Sequence, residues 1–138
     1  MFDNCLYFNT SALARRLERE WAEVFEAFGL TPPQAFMLRA VLNRPGMLQS
    51  GLSEELSIAR PTTTRALDGL EQKGYIERRR SEGDGRETSI FPTAEAIRLK
   101  TSLNEASGTV TAKLRRTLGS AEFTDTVSRI RSARSALR

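Results

Sequence analysis

Residues 52–79 read LSEELSIARPTTTRALDGLEQKGYIERR, and this stretch decides the fold. Leu52 and Leu56, four apart, put two apolar groups on one face of a short helix expected over 49–57. Ser57, Ile58 and Ala59 make a turn, and a further helix runs from Arg60 or Pro61 to Lys73, where Gly74 stops it. Wound at about 100° per residue, Thr63, Ala66, Leu67 and Leu70 share the core face, with Ala59 close by on the incoming turn. Pro61, Arg65, Asp68 and Gln72 fall opposite, and Thr62 and Thr64 lie on the flanks.

The outward leading end of that helix is therefore small, hydroxyl-bearing and cationic, which suits a DNA major groove. Short side chains allow close approach, Thr hydroxyls and methyls can meet bases or phosphates, and Arg can pair bidentately with guanine. Free N–H groups at a helix start attract a phosphate. The plainer reading of Thr62-Thr63-Thr64 is a polar patch on a surface helix; its place after a short helix and tight turn favours the groove. Asp68 is expected to orient Arg65 or Gln72 from one turn away, or else to form a simple surface pair.

Past Gly74 the apolar period changes from helical to alternating. Residues 75–80 and 87–91 read as two strands around the turn-rich Ser81-Glu82-Gly83-Asp84-Gly85-Arg86. Narrow minor grooves concentrate negative potential and draw in arginine, so Arg86 at the tip is the candidate insertion, with Asp84 holding it outward. A plain hairpin turn is the alternative. Arg78, Arg79 and Arg80 are consecutive and cannot share a face; at least one is expected to meet phosphate.

Working outward, Leu13, Leu17, Trp21, Val24, Phe25 and Phe28 mark one amphipathic helix, stopped by Gly29. Thr31-Pro32-Pro33-Gln34 is a capping-box opening for a second helix that ends at Pro45-Gly46. Beyond Pro92-Thr93, Leu99, Leu103, Ala106, Val110, Leu114 and Leu118 step in threes and fours; Gly119-Ser120 breaks the run before a last helix with Phe123, Val127 and Ile130. The fold class is mainly α with a small β-hairpin wing: a winged helix-turn-helix at 31–93, flanked by helices at 1–30 and 94–138. The flanking stripes need a partner surface, and a second copy across a two-fold axis is the simplest supply. Phe8, Trp21 and Phe36 are expected in core packing rather than in a ligand pocket.

Composition narrows the classes. With 138 residues the chain has room for one domain, or for one small domain plus an oligomerisation arm, and a net charge of +4 permits contact with nucleic acid or an anionic membrane without choosing between them. One cysteine and no histidine leave no disulfide framework, no metal site and no Cys-His nucleophile. No Gly-rich phosphate loop with Lys is present, so no enzyme and no cofactor is expected. No apolar run reaches the roughly 20 residues of a membrane span and no leader is evident, so a cytoplasmic, reducing setting without membrane contact is expected.

The chain resembles the MarR (multiple antibiotic resistance regulator) family of winged-helix regulators. The resemblance rests on Gly29-Leu30-Thr31-Pro32-Pro33-Gln34, on the 52–79 string, and on Asp84-x-Arg86 followed by Ile90-x-Pro92-Thr93. It implies a homodimer with interleaved terminal helices that binds a pseudo-palindrome in double-stranded DNA, in many members as a repressor released by a small aromatic or anionic effector. By the same resemblance Pro61, Thr62, Thr64 and Arg65 are base-reading positions, with Arg60 beside them; Arg86 is the minor-groove arginine with Asp84 its partner; and Ser50 is a phosphate contact. Peroxide-sensing relatives carry a cysteine near the start of the first helix, as Cys5 stands here beside Tyr7; a structural or incidental cysteine is the plainer reading. This chain departs from the family pattern at Leu48, where a hydroxyl cap is usual, at Gly51 inside the third helix, and at Thr63, where an aliphatic is common and a looser core is expected. Other readings of the same fold are a non-specific or architectural DNA binder, a protein-interaction module and a cysteine-based oxidant sensor.

Overall fold

The computed structural model describes residues 1–80 and 87–137. The elements run α1 (Leu6–Phe25), a 3-10 turn (Glu26–Phe28), α2 (Pro32–Asn43), β1 (Met47–Leu48), α3 (Gln49–Leu56), α4 (Arg60–Gln72), β2 (Ile76–Arg80), β3 (Thr88–Pro92), α5 (Ala94–Leu118) and α6 (Ser120–Ala136). This is a winged helix-turn-helix with helical arms at both ends, as the sequence pattern predicts.

Local chemistry sets most boundaries. Gly29 takes φ 67° and turns the chain out of α1. Thr31 Oγ1 accepts from Gln34 N at 3.3 Å while Gln34 Oε1 accepts from Thr31 N at 3.1 Å, so the expected capping box opens α2. The turn between α3 and α4 is built without glycine: Ser57 itself adopts φ 54°. The sheet holds three strands rather than two, in the order β1-β3-β2, all antiparallel. β1 pairs Met47 with Ile90 and Leu48 with Ser89; two residues are too few to show a period, which is why this strand is invisible in the sequence. The two hairpin strands each lie one residue later at their start than their sequence pattern suggests. Thr93 caps α5, accepting from Ala96 N at 3.3 Å and donating to the Gly74 carbonyl at 2.7 Å.

One core joins the end of α1, the three helices α2–α4, the sheet and the first half of α5. Phe25, Met37, Leu38, Val41, Leu52, Leu67, Leu70, Ile90 and Leu103 are all fully buried there. The arms are different. α1 buries only Phe25, α6 buries nothing, and Leu13, Leu118, Val127 and Ile130 stand 40–49% exposed. Trp21 packs half-buried against the core, as the spacing suggested, whereas Phe8 and Phe36 are exposed. Helical spacing gives a face; it does not say which neighbour covers it. Among the described residues no helix is long and apolar enough to cross a membrane.

Candidate nucleic-acid interface

α4 has the two-sided character its sequence demands. Thr63, Ala66, Leu67 and Leu70 are its buried residues, while Pro61, Thr64, Arg65 and Asp68 are exposed and Thr62 is half-buried. Arg60 and Pro61 fill the first turn, and Ala59 at the N-cap offers no side-chain acceptor, so that turn's amides stay open. α3 starts in the same way: Leu48 is its N-cap and supplies no side-chain bond, and Ser50 sits exposed in the first turn. Two uncapped helix starts thus flank a cleft of about 410 Å³, lined by Gln49, Ser50, Ser53, Arg60, Thr64, Glu87 and Thr88 among others.

The structure brings Ser50, Arg60 and Thr64 together at this cleft, with Pro61, Thr62 and Arg65 on the adjoining turn of α4. Arg65 Nη2 donates to Thr62 Oγ1 at 3.4 Å, a long bond that leaves the guanidinium free to swing. The Thr64 hydroxyl is engaged: it donates to the Arg60 carbonyl at 3.1 Å and accepts from Gln49 Nε2 at 2.9 Å. Gln49 has no signature in the sequence, because a polar side chain at the first position of a helix carries no signal until the neighbouring helix is in place. Asp84 and Arg86 fall at 81–86 and lie outside the described residues.

Asp68 orients neither Arg65 nor Gln72. It pairs with Arg78 of β2 at 2.8 Å, and Arg78 also reaches Glu71 at 3.1 Å, with its side chain only 21% exposed. A third contact runs to the Thr64 carbonyl at 3.4 Å. Arg78 therefore fastens the first wing strand to α4 and neutralises two carboxylates on the helix. Helical spacing reveals only partners within one helix, and the partner of Asp68 comes from a strand ten residues on. Arg79 pairs with Glu77 at 3.3 Å and stacks 4.1 Å over the Phe91 ring, whereas Arg80 is exposed. Of the three consecutive arginines, Arg78 and Arg79 are thus committed within the protein.

The expectation of a looser core at Thr63 is overturned. Its side chain is fully buried, and its hydroxyl meets that of Ser53 at 2.8 Å. No buried side-chain polar atom lacks a partner among the described residues. The buried Thr–Ser pair joins α3 to α4 at a position where an aliphatic is common in the family the sequence resembles.

Residues 28–87 match the model of the MarR family. The organic hydroperoxide resistance transcriptional regulator of Bacillus subtilis is 28% identical over 108 residues, which cover 78% of this chain and 74% of that protein. Two further regulators from the same bacterium are 31% and 34% identical, but the match spans only 54% and 60% of their lengths. In fold, the chain is similar to Staphylococcus aureus MepR in its DNA complex, with a TM-score of 0.85 at 20% identity over 95% of this chain and 96% of that one. It is similar too to the PcaV regulator of Streptomyces coelicolor with its natural ligand, with a TM-score of 0.83 at 22% identity over 100% and 97% of the two chains.

Proposed function

We propose that the chain is a winged-helix transcriptional regulator of the MarR family, whose model residues 28–87 match, and that it is a repressor that binds a pseudo-palindromic operator as a homodimer. The carrying observation is the outward leading end of α4, where Pro61, Thr62, Thr64 and Arg65 stand over a fully buried Thr63 beside an open cleft. In this reading Arg65 and the threonines read bases, Arg60 and Ser50 meet phosphate, and Arg86 with Asp84 serves the minor groove. Residues 31–93 form the DNA-binding part, and 1–30 with 94–138 form the dimer.

Support for the dimer comes from the arms. Leu13, Leu17, Leu114, Leu118, Phe123, Val127 and Ile130 line an apolar groove of about 330 Å³ between α1, α5 and α6. Contiguous apolar surface of this kind is normally covered. Support for an effector is a hollow of about 390 Å³ between α1 and α2, lined by Leu17, Trp21, Pro32, Pro33 and Phe36, which suits a small aromatic molecule.

Genome-wide selection of DNA fragments by the purified protein tests the reading. The expected result is a palindrome with half-sites about one helical turn apart. Arg65→Ala should lose on the order of 1–3 kcal/mol and relax one base position, and Arg86→Ala should weaken all sites. A monomer that ignores duplex DNA at low salt overturns it.

A second reading, an oxidant sensor, is favoured by exposed Cys5 at the N-cap of α1 and by the name of the Bacillus relative. Peroxide should then weaken DNA binding by the wild type and leave Cys5→Ser unaffected; equal responses end that reading.

A further inference from the structure

Side chains of α1, α2 and α5 meet at a polar joint between arm and DNA-binding part. Three helices meet there on a single hydroxyl. Ser107 Oγ of α5, nearly buried, accepts from Trp21 Nε1 of α1 at 3.0 Å and from Arg39 Nη1 of α2 at 3.0 Å. Arg39 Nε donates to Asn104 Oδ1 of α5 at 2.8 Å, so the guanidinium grips α5 with both edges of its fork. Its Cζ lies 5.0 Å from the centroid of the Phe36 ring, which itself packs on Trp21 and Phe25.

Arg39 has no carboxylate partner among the described residues, and burial pushes its guanidinium down from its ordinary value. Holding a cation this way, on neutral acceptors alone, gains little stability. It does gain direction. Apolar packing tolerates several near-equal arrangements, whereas a planar fork on two fixed acceptors admits one.

The other end of α2 is tied to the recognition helix. Gln34 Oε1 accepts from Lys73 Nζ at 3.0 Å, and Lys73 also donates to the Gly29 carbonyl. A turn of α2 relative to α5 is therefore carried into α4.

We propose that Arg39 is a positioning residue that sets the angle between arm and recognition helix, and through it the half-site spacing the dimer accepts. The inference rests on the dimeric DNA-binding reading above. It makes spacing a property of α2 and α5, separable from base reading at α4.

The test is selection from a duplex library whose two half-sites are held constant and whose spacer varies by single base pairs, using wild type, Arg39→Met, Ser107→Ala and Asn104→Ala. Each base pair of spacer rotates one half-site against the other by roughly a tenth of a turn. Wild type should show one sharp spacing optimum. Arg39→Met should lose about tenfold of its preference over the neighbouring spacings, with Ser107→Ala and Asn104→Ala intermediate. Base preference within a half-site and the salt dependence of binding should stay unchanged in all three, which a loss of folding alone would not produce. If Arg39→Met does not fold, the other two variants decide. A wild-type spacing profile in the folded variants overturns the inference whatever their thermal stability. Failure of the wild type to bind any duplex overturns the DNA-binding reading with it.

Discussion

Ser53 Oγ lies 2.8 Å from Thr63 Oγ1, both side chains buried between α3 and α4. Ser53 donates to Thr63, and Thr63 donates to the Ala59 carbonyl at 3.4 Å, so the pair forms a short chain ending on the backbone just before the recognition helix. Ser53 also lies 3.3 Å from the Gln49 carbonyl. Ser53→Ala and Thr63→Val should each cost about 1 kcal/mol, since each removes one partner of a buried bond. The double variant should cost less than the sum, because no half-pair remains. Urea unfolding of the four proteins measures this; strict additivity would mean the two hydroxyls act independently.

Gly69 should not tolerate a methyl group. A Cβ there would run into the Gln34 amide, which the capping box and Lys73 hold in place. Alanine is the better helix former by about 1 kcal/mol, so propensity alone predicts a gain for Gly69→Ala. Overpacking predicts a net loss of about 1–2 kcal/mol. Thermal unfolding decides the sign, and adding Gln34→Ala should recover part of any loss.

Arg78 neutralises Asp68 and Glu71 on the helix that carries Arg65. Arg78→Met would leave both carboxylates unpaired beside the proposed DNA surface. Affinity should fall by about tenfold at low salt, where unscreened charge matters most. Asp68→Asn with Glu71→Gln in that background should restore most of it. Anisotropy titrations with a labelled operator check the recovery; none would mean Arg78 acts by holding the strand alone.

Acid should loosen α1 from α5. Glu20 accepts from Lys113 at 2.9 Å and from Arg16 at 3.1 Å, and chiefly the Lys113 bond holds its carboxyl below the ordinary 4.5. A carboxylate with a lowered folded-state pKa stabilises above its unfolded value and loses that contribution as pH falls through the folded one. The melting difference between wild type and Glu20→Gln should therefore be flat above about pH 4.5 and shrink below it. A difference that stays constant down to pH 3 would remove Glu20 from the account.

What is local was legible in the residues alone. The capping box at Thr31, the stop at Gly29 and the buried face of α4 follow from spacing and backbone preference, which act within a turn or two of chain. What joins distant segments was not. Strand β1, the Gln49–Thr64 bond, the Asp68–Arg78 pair and the Trp21–Ser107–Arg39 joint link residues up to 86 apart, and only packing brings them within hydrogen-bond reach. A polar side chain advertises that it needs a partner; the tertiary fold alone selects which one, because directional bonds form only after apolar burial has fixed the helices against each other.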